Sequence, residues 1–454
     1  MRFRRPPLLR ALMALLLSFA VLVRPVVAQS IIRDAETEAL LADMSRDLIK
    51  AAGLRPQDVQ IVMILDKEIN AFVVGGQIVY IHSGLITQAD NANQVQGVIA
   101  HEIGHIDGGH IVRLAEGAKV ATGIMLLSML LGAAAIAAGA GQAGAGIFAA
   151  GQQAALGKFL AFTRTQESSA DAAAVRYLTT AGVSGRGLIE FFKKLQNQEY
   201  RLGIRATDSY GRTHPLSRER VTVLTDSLQN DPAWDRRNDP ELEARFQRVK
   251  AKLRGYVDDP PQVLRQYPET DKSVPARYAR AYAWHRGAYP AQALAEIDTL
   301  LAAAPHDPYF LEIKGQVLLE SGRPAEALPA LREAVERTQY NPLIASMFGH
   351  ALIATEDRKH HAEAERVLRA ALAKDKENPF AWYQLGVIYE QRGDIARAAL
   401  ASAERYNLEG QAQLALLSAR TAMSGIPEGT PDFLRAQDIA MVAKSAAEDE
   451  RRRR

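Results

Sequence analysis

The stretch His101-Glu102-Ile103-Gly104-His105 decides how this chain is read. Residues four apart share a face of an α-helix, so His101 and His105 can offer two imidazoles to one ion. Glu102 lies beside them, placed to act on a metal-bound water rather than on the metal. That arrangement fits zinc hydrolysis, in which the ion acidifies a bound water and polarises a carbonyl. The preceding residues support a helix: Val95, Val98, Ile99, Ile103 and Ile106 recur at helical spacing, and Asp90 or Asn91 can cap its start. Gly104, Gly108 and Gly109 are poor helix formers, and their expected use is close approach of another backbone or of substrate.

A third protein ligand is needed. His110 stands one residue short of the third histidine in the extended H-E-x-x-H-x-x-G-x-x-H pattern, where this chain has Ile111. On a continuing helix His110 points away from His105, as a surface or supporting residue. Glu167 is the better candidate, in Arg164-Thr165-Gln166-Glu167-Ser168-Ser169-Ala170-Asp171, a helical stretch ending near Gly182. Glu167 and Asp171 share a face, so one carboxylate can ligate while the other holds a ligand imidazole in one tautomer. A solvated acidic face is the plainer alternative.

Elsewhere the chain shows distinct textures. Arg2, Arg4, Arg5 and Arg10 precede an apolar run from Ala11 to Val23, then Val26-Val27-Ala28, which predicts an export signal cleaved near Ala28. Removing its five Arg from the 55 basic residues leaves 50 against 52 acidic, so no nucleic-acid partner is expected from charge. There is no cysteine, hence no disulfide framework. Residues 36–52 read as an amphipathic helix, 60–65 as a strand, and 71–74 with 77–81 as a hairpin around Gly75-Gly76. The edge of such a strand can pair with an extended substrate backbone.

Residues 120–157 carry no charge. The run is long enough to cross a membrane, but its many Gly residues with Gln142, Gln152 and Gln153 favour a mobile apolar hairpin over the cleft, touching membrane or unfolded client. Thr213-His214-Pro215-Leu216 reads as a loop, with Arg218 and Arg220 beyond it. From residue 238 the texture is all helix. Pro308, Pro342 and Pro379 recur 34 and 37 apart, with Gly315, Gly349 and Gly386 seven residues after each and Ala293, Ala327, Ala364 and Ala398 in register. Trp382, Leu385, Gly386 and Tyr389 fit the tetratricopeptide pattern, which predicts a stacked solenoid with a groove for peptide or protein. A three-residue insertion falls near His360-His361. Glu448 to Arg454 reads as a disordered tail.

H-E-I-G-H followed by R-x-Q-E-x-x-A-D resembles the HtpX-like superfamily of zinc peptidases, and the export signal and helical repeats resemble its BepA-like periplasmic members. The resemblance covers nearly the whole chain after the signal. It implies His101, His105 and Glu167 as ligands of one zinc ion per chain, Glu102 as general base and Asp171 as the carboxylate behind a ligand. It also implies a His-Pro loop over the site, with His214 as a regulatory zinc ligand; the competing chemical reading is an oxyanion donor, and the plain one a loop histidine. The expected fold is α+β: a zincin-like peptidase domain, mostly helical with a small sheet, over 29–237, then an all-α solenoid over 238–446 and a tail over 447–454. The implied function is a periplasmic endopeptidase acting on unfolded or stalled proteins, with the repeats docking clients or the outer-membrane barrel-assembly machinery. The alternative is a chaperone or binding scaffold that seldom cuts.

Overall fold

A computed structural model describes residues 30–138, 140–202 and 213–453. The expected signal, residues 1–28, lies outside the described residues. The first part of the fold is a small sheet covered by helices. Its strands are β1 (Ile31–Ile32), β2 (Gln60–Ile64), β3 (Ala71–Val73) and β4 (Ile78–His82), in the order β1-β2-β4-β3. Strands β3 and β4 form the expected hairpin, with Ala71 opposite Ile81 and Gly75 and Gly76 both at positive φ in the turn. Strand β2 runs parallel to β4, a pairing that hairpin chemistry alone does not give. Strand β3 ends up as an edge, beside the H-E-x-x-H helix.

The helices of this part are α1 (Ala35–Ala51), α2 (Ser83–Gln88), α3 (Ala92–Asp107), α4 (His110–Ala137), α5 (Gly141–Ala181), α6 (Arg186–Leu202) and α7 (Arg218–Leu228). Asn91, not Asp90, caps α3, accepting from the Gln94 amide. Its apolar stripe of Val95, Val98, Ile99 and Ile103 is fully buried against the sheet, α5 and α6. Helices α4 and α5 form a long antiparallel hairpin; among the described residues α4 alone is long and apolar enough to cross a membrane by length and composition. Helix α4 begins five residues after His105 and α5 carries Glu167, so both ends of this hairpin, here called the arm, meet the motif, while most of its apolar side chains are exposed.

The repeats follow as predicted. Helices α8 (Pro240–Val257), α9 (Pro260–Gln266), α10 (Val274–Arg286), α11 (Pro290–Ala303), α12 (Pro308–Glu320), α13 (Pro324–Arg337), α14 (Pro342–Ala354), α15 (His361–Lys374), α16 (Pro379–Gln391), α17 (Ile395–Leu408), α18 (Ala412–Gly425) and α19 (Pro431–Arg453) stack pairwise. Proline at the first helical position suits a terminus whose N–H has no partner anyway. Gly315, Gly349 and Gly386 mark where paired helices close: a Cβ at Gly315 or Gly349 would lie 2.3 or 2.6 Å from the Cγ of Leu331 or Leu368. The insertion near His360 forms a 3₁₀ turn, Arg358–His360.

Two boundaries differ from expectation. Phe246, Val249 and Leu253 of α8 lie beyond residue 237 yet are buried in the peptidase core, because one face of α8 packs there while another meets α10. The residues read as a disordered tail continue α19 to Arg453, where Ala443 and Ala447, one turn apart, are buried. The first part and the solenoid are tied by buried charge. Lys252 of α8 lies 2.6 Å from Asp34 and 3.2 Å from Glu36, and Arg248 bridges Glu36 to Asp307 of the solenoid.

Candidate metal centre

His101, Glu102 and His105 lie within α3 and are buried. Gly104 allows what happens next. A Cβ there would stand 2.8 Å from the Ala170 carbonyl oxygen, so only glycine lets α5 approach α3 this closely. The approach brings Glu167, buried on α5, against both imidazoles: its oxygens lie 3.4 Å from His101 Nε2 and 3.4 Å from His105 Nε2. The His-Pro loop adds His214, whose Nδ1 is 3.1 Å from Glu167 Oε1. The four ligand atoms of His101, His105, Glu167 and His214 lie within 4.8 Å of one another, all on buried residues. Three nitrogens and one carboxylate oxygen make a donor set that suits zinc.

The outer partners fix each ring. His101 Nδ1 lies 3.0 Å from Asp171 Oδ1, which keeps the proton on that side and turns the Nε2 lone pair inward. His214 Nε2 lies 3.2 Å from the Ala71 carbonyl of β3; a carbonyl only accepts, so Nε2–H donates and Nδ1 faces the cluster with its lone pair. His105 Nδ1 meets His110 Nδ1 at 2.9 Å. This corrects the reading of His110 as pointing away. Gly109 takes φ +60°, which ends α3 and restarts the chain as α4, and the restart folds the His110 ring back onto His105.

Arg220, in the first turn of α7, is named in the sequence beyond the His-Pro pair but without a role there. It forks onto Asp171 with bonds of 2.7 and 2.8 Å, lies 3.0 Å from Glu167 Oε2, and donates to the Pro215 carbonyl at 2.8 Å. It thus ties the His214 loop to the two carboxylates of α5. Its only sequence signal is an arginine soon after the His-Pro pair.

The electrostatics favour a cation. Burial opposes charge on His101, but Asp171 and Glu167 outweigh it and push the imidazole up to about 10. Burial would raise Glu167, yet His214 and His101 hold it well below the usual carboxylate range. Asp171 is likewise lowered against its burial, by Arg220 and His101. His105 is pushed well down by burial and by its neighbours His101 and His214. Protons are therefore held on one histidine and excluded from another, and a bound cation takes over their role. Glu102 differs: among the described residues neither of its buried oxygens has a hydrogen bond, one of them lies 3.5 Å from His214 Nε2, and burial raises it.

Residues 35–228 match Peptidase family M48, and residues 289–342 and 350–412 match the tetratricopeptide repeat. The beta-barrel assembly-enhancing protease of Escherichia coli strain K12 is 24% identical over 375 residues, 81% of this chain and 75% of that protein. A Vibrio cholerae relative is 26% identical over 248 residues, 55% of this chain but only half of that protein's length. Metalloprotease LoiP of Escherichia coli strain K12 is 31% identical over 184 residues, 39% of this chain and 66% of that protein. The chain carries a zinc metalloprotease domain of family M48, followed by tetratricopeptide repeats.

Proposed function

We propose that the chain is an exported endopeptidase of the periplasm that hydrolyses peptide bonds of misfolded or stalled envelope proteins. His101, His105 and Glu167 hold zinc, Glu102 is the general base, and the repeats dock clients or the barrel-assembly machinery. The observation that carries this reading is the Glu102 carboxylate, buried without a hydrogen bond to any described residue and beside four convergent ligand groups. A buried acid left without a partner is costly in a scaffold and useful in a base. The name of the Escherichia coli relative supports the choice of client.

Zinc, when bound, supplies a Lewis acid and an acidified water. Glu102 takes the proton of the attacking water and returns it to the leaving nitrogen. Asp171, held by Arg220, keeps His101 in the ligating tautomer. Strand β3 offers its edge to an extended client backbone, so affinity comes without a strict sequence preference. His214 closes that edge at rest by bonding Ala71 and fills the position that water needs, which makes it a latch.

Glu102→Gln tests the reading. The variant should keep one equivalent of zinc and lose casein hydrolysis by several orders of magnitude. Near wild-type cleavage would sink the mechanism, and normal zinc with no cleavage in the wild-type chain either would favour the chaperone or scaffold.

A further inference from the structure

The α4–α5 arm is not used by the chemistry above. Its two helices pack through small residues: a Cβ at Gly132 would lie 2.9 Å from the Gly144 carbonyl oxygen, and Gly151 and Gly117 face Ser128 and the Phe162 ring closely enough that a Cβ would clash. Close packing through small residues suits helices that gain little from burying apolar surface against each other. The apolar side chains point outward instead. Val120, Leu126, Leu127, Leu130, Leu131 and Ile136 are each more than half exposed. Clustered exposure of this kind marks a contact surface.

Charge bounds the arm sharply. Residues 120–157 hold no Asp, Glu, Lys, Arg or His. The register that sets Gly117 against Phe162 puts Lys119 beside Lys158, with Arg113 and Arg164 lower down; Glu116 is the one acid among them. All four cations are exposed. From this collar to the turn the arm rises about 27 Å at 1.5 Å per residue, against a hydrocarbon core of about 30 Å. Helix α5 is the more polar half, with Gln152 and Gln153 exposed about a third of the way from the collar to the turn, so α4 carries the lipid contact.

We propose that this arm inserts into the bilayer of an anionic membrane, α4 leading, with Lys119, Lys158, Arg113 and Arg164 resting on the headgroups. An unfolded polypeptide explains the apolar face but gives no role to a cationic collar placed where the apolar face stops. Both helices satisfy their own backbone, so the arm also offers no strand edge to a client. Glu167 follows Lys158 by nine residues of the same helix, which holds the metal centre about 14 Å above the headgroups.

Flotation of the chain from Gln29 onward, which contains every described residue, tests the proposal. The probes are vesicles of phosphatidylcholine alone and of phosphatidylcholine mixed with phosphatidylglycerol. The wild-type chain should float with the mixed vesicles and much less with phosphatidylcholine. Leu126→Asp with Leu130→Asp, and separately Lys119→Glu with Lys158→Glu, should each weaken flotation about tenfold or more, since each basic residue near an anionic surface adds to binding. Zinc content and the far-UV melting curve, unchanged in both variants, show that folding is retained and keep the result separate from any peptidase assay. A wild-type chain that stays soluble with mixed vesicles overturns the proposal, as does a variant pair that floats like wild type. Loss of binding to unfolded casein in the variants, with no flotation of wild type, would assign the arm to polypeptide instead.

Discussion

On the proposed reading, the two nitrogens of His214 separate its two candidate roles. Its Nε2–H is committed to the Ala71 carbonyl, so the nitrogen facing the cluster is an acceptor, which is what a metal ligand needs and an oxyanion donor lacks. His214→Ala should therefore speed casein cleavage and self-cleavage while zinc is retained by the other three ligands. Slower turnover by about a hundredfold, with normal zinc and no self-cleavage, would instead make His214 an oxyanion donor. The pairing of His101 with His105, and of Glu167 with Asp171, is legible because each spacing is local to one helix; that the two helices meet was implied by the family resemblance and not by spacing. Arg220 was illegible because its partner Asp171 lies on another helix and is met only after the chain folds. His110 was misread because its direction depends on one backbone angle at Gly109.

At the scale of elements, the centre depends on how closely α3 and α5 meet. Gly104 is within the motif but binds nothing; it sets the gap. Gly104→Val forces a side chain against the Ala170 backbone, and overpacking of this kind costs about 1–3 kcal/mol. The displaced Glu167 should cost the site tenfold or more in zinc affinity, read by competition with a chelator, although every ligand remains. Unchanged zinc affinity and melting temperature would show that the helices have slack. Amphipathic periodicity and glycine positions foretold α3, the β3–β4 hairpin and the repeat pairs. The parallel β2–β4 pairing was hidden, since parallel neighbours are joined through structure that no turn motif signals.

For the whole molecule, the join between peptidase and solenoid is set by buried charge. Glu312 of α12 lines a cavity of about 630 Å³ together with Ile31, Lys252, Tyr282, His350 and Phe380. Burial pushes its carboxyl up to about 8; Lys252 opposes the rise, and Asp34 and Glu36 add to it. A carboxyl raised on folding binds its proton more tightly in the folded chain. Its contribution is fully present below about pH 4.5 and is lost as pH rises through 8, a change of up to a few kcal/mol. Glu312→Gln should flatten that decline, measured as the urea midpoint at pH 5 and pH 8. Equal declines in both proteins would show that Glu312 is not its source. The composition change at residue 238 pointed to two domains but could not show that α8 serves both, because a helix buried on two faces looks the same in sequence wherever its partners lie.

The bond from His214 to Ala71 also sets a threshold. Loop and edge belong to one chain, so on the proposed reading a client seeking the β3 edge meets a rival at fixed local concentration, on the order of millimolar for flexibly tethered groups. A free peptide displaces it only where its concentration divided by its own Kd exceeds that local concentration divided by the Kd of the loop. A chain already captured elsewhere on the molecule competes from a local concentration of the same order. Discrimination between captured and passing chains then follows from tethering alone, whatever residues flank the cut.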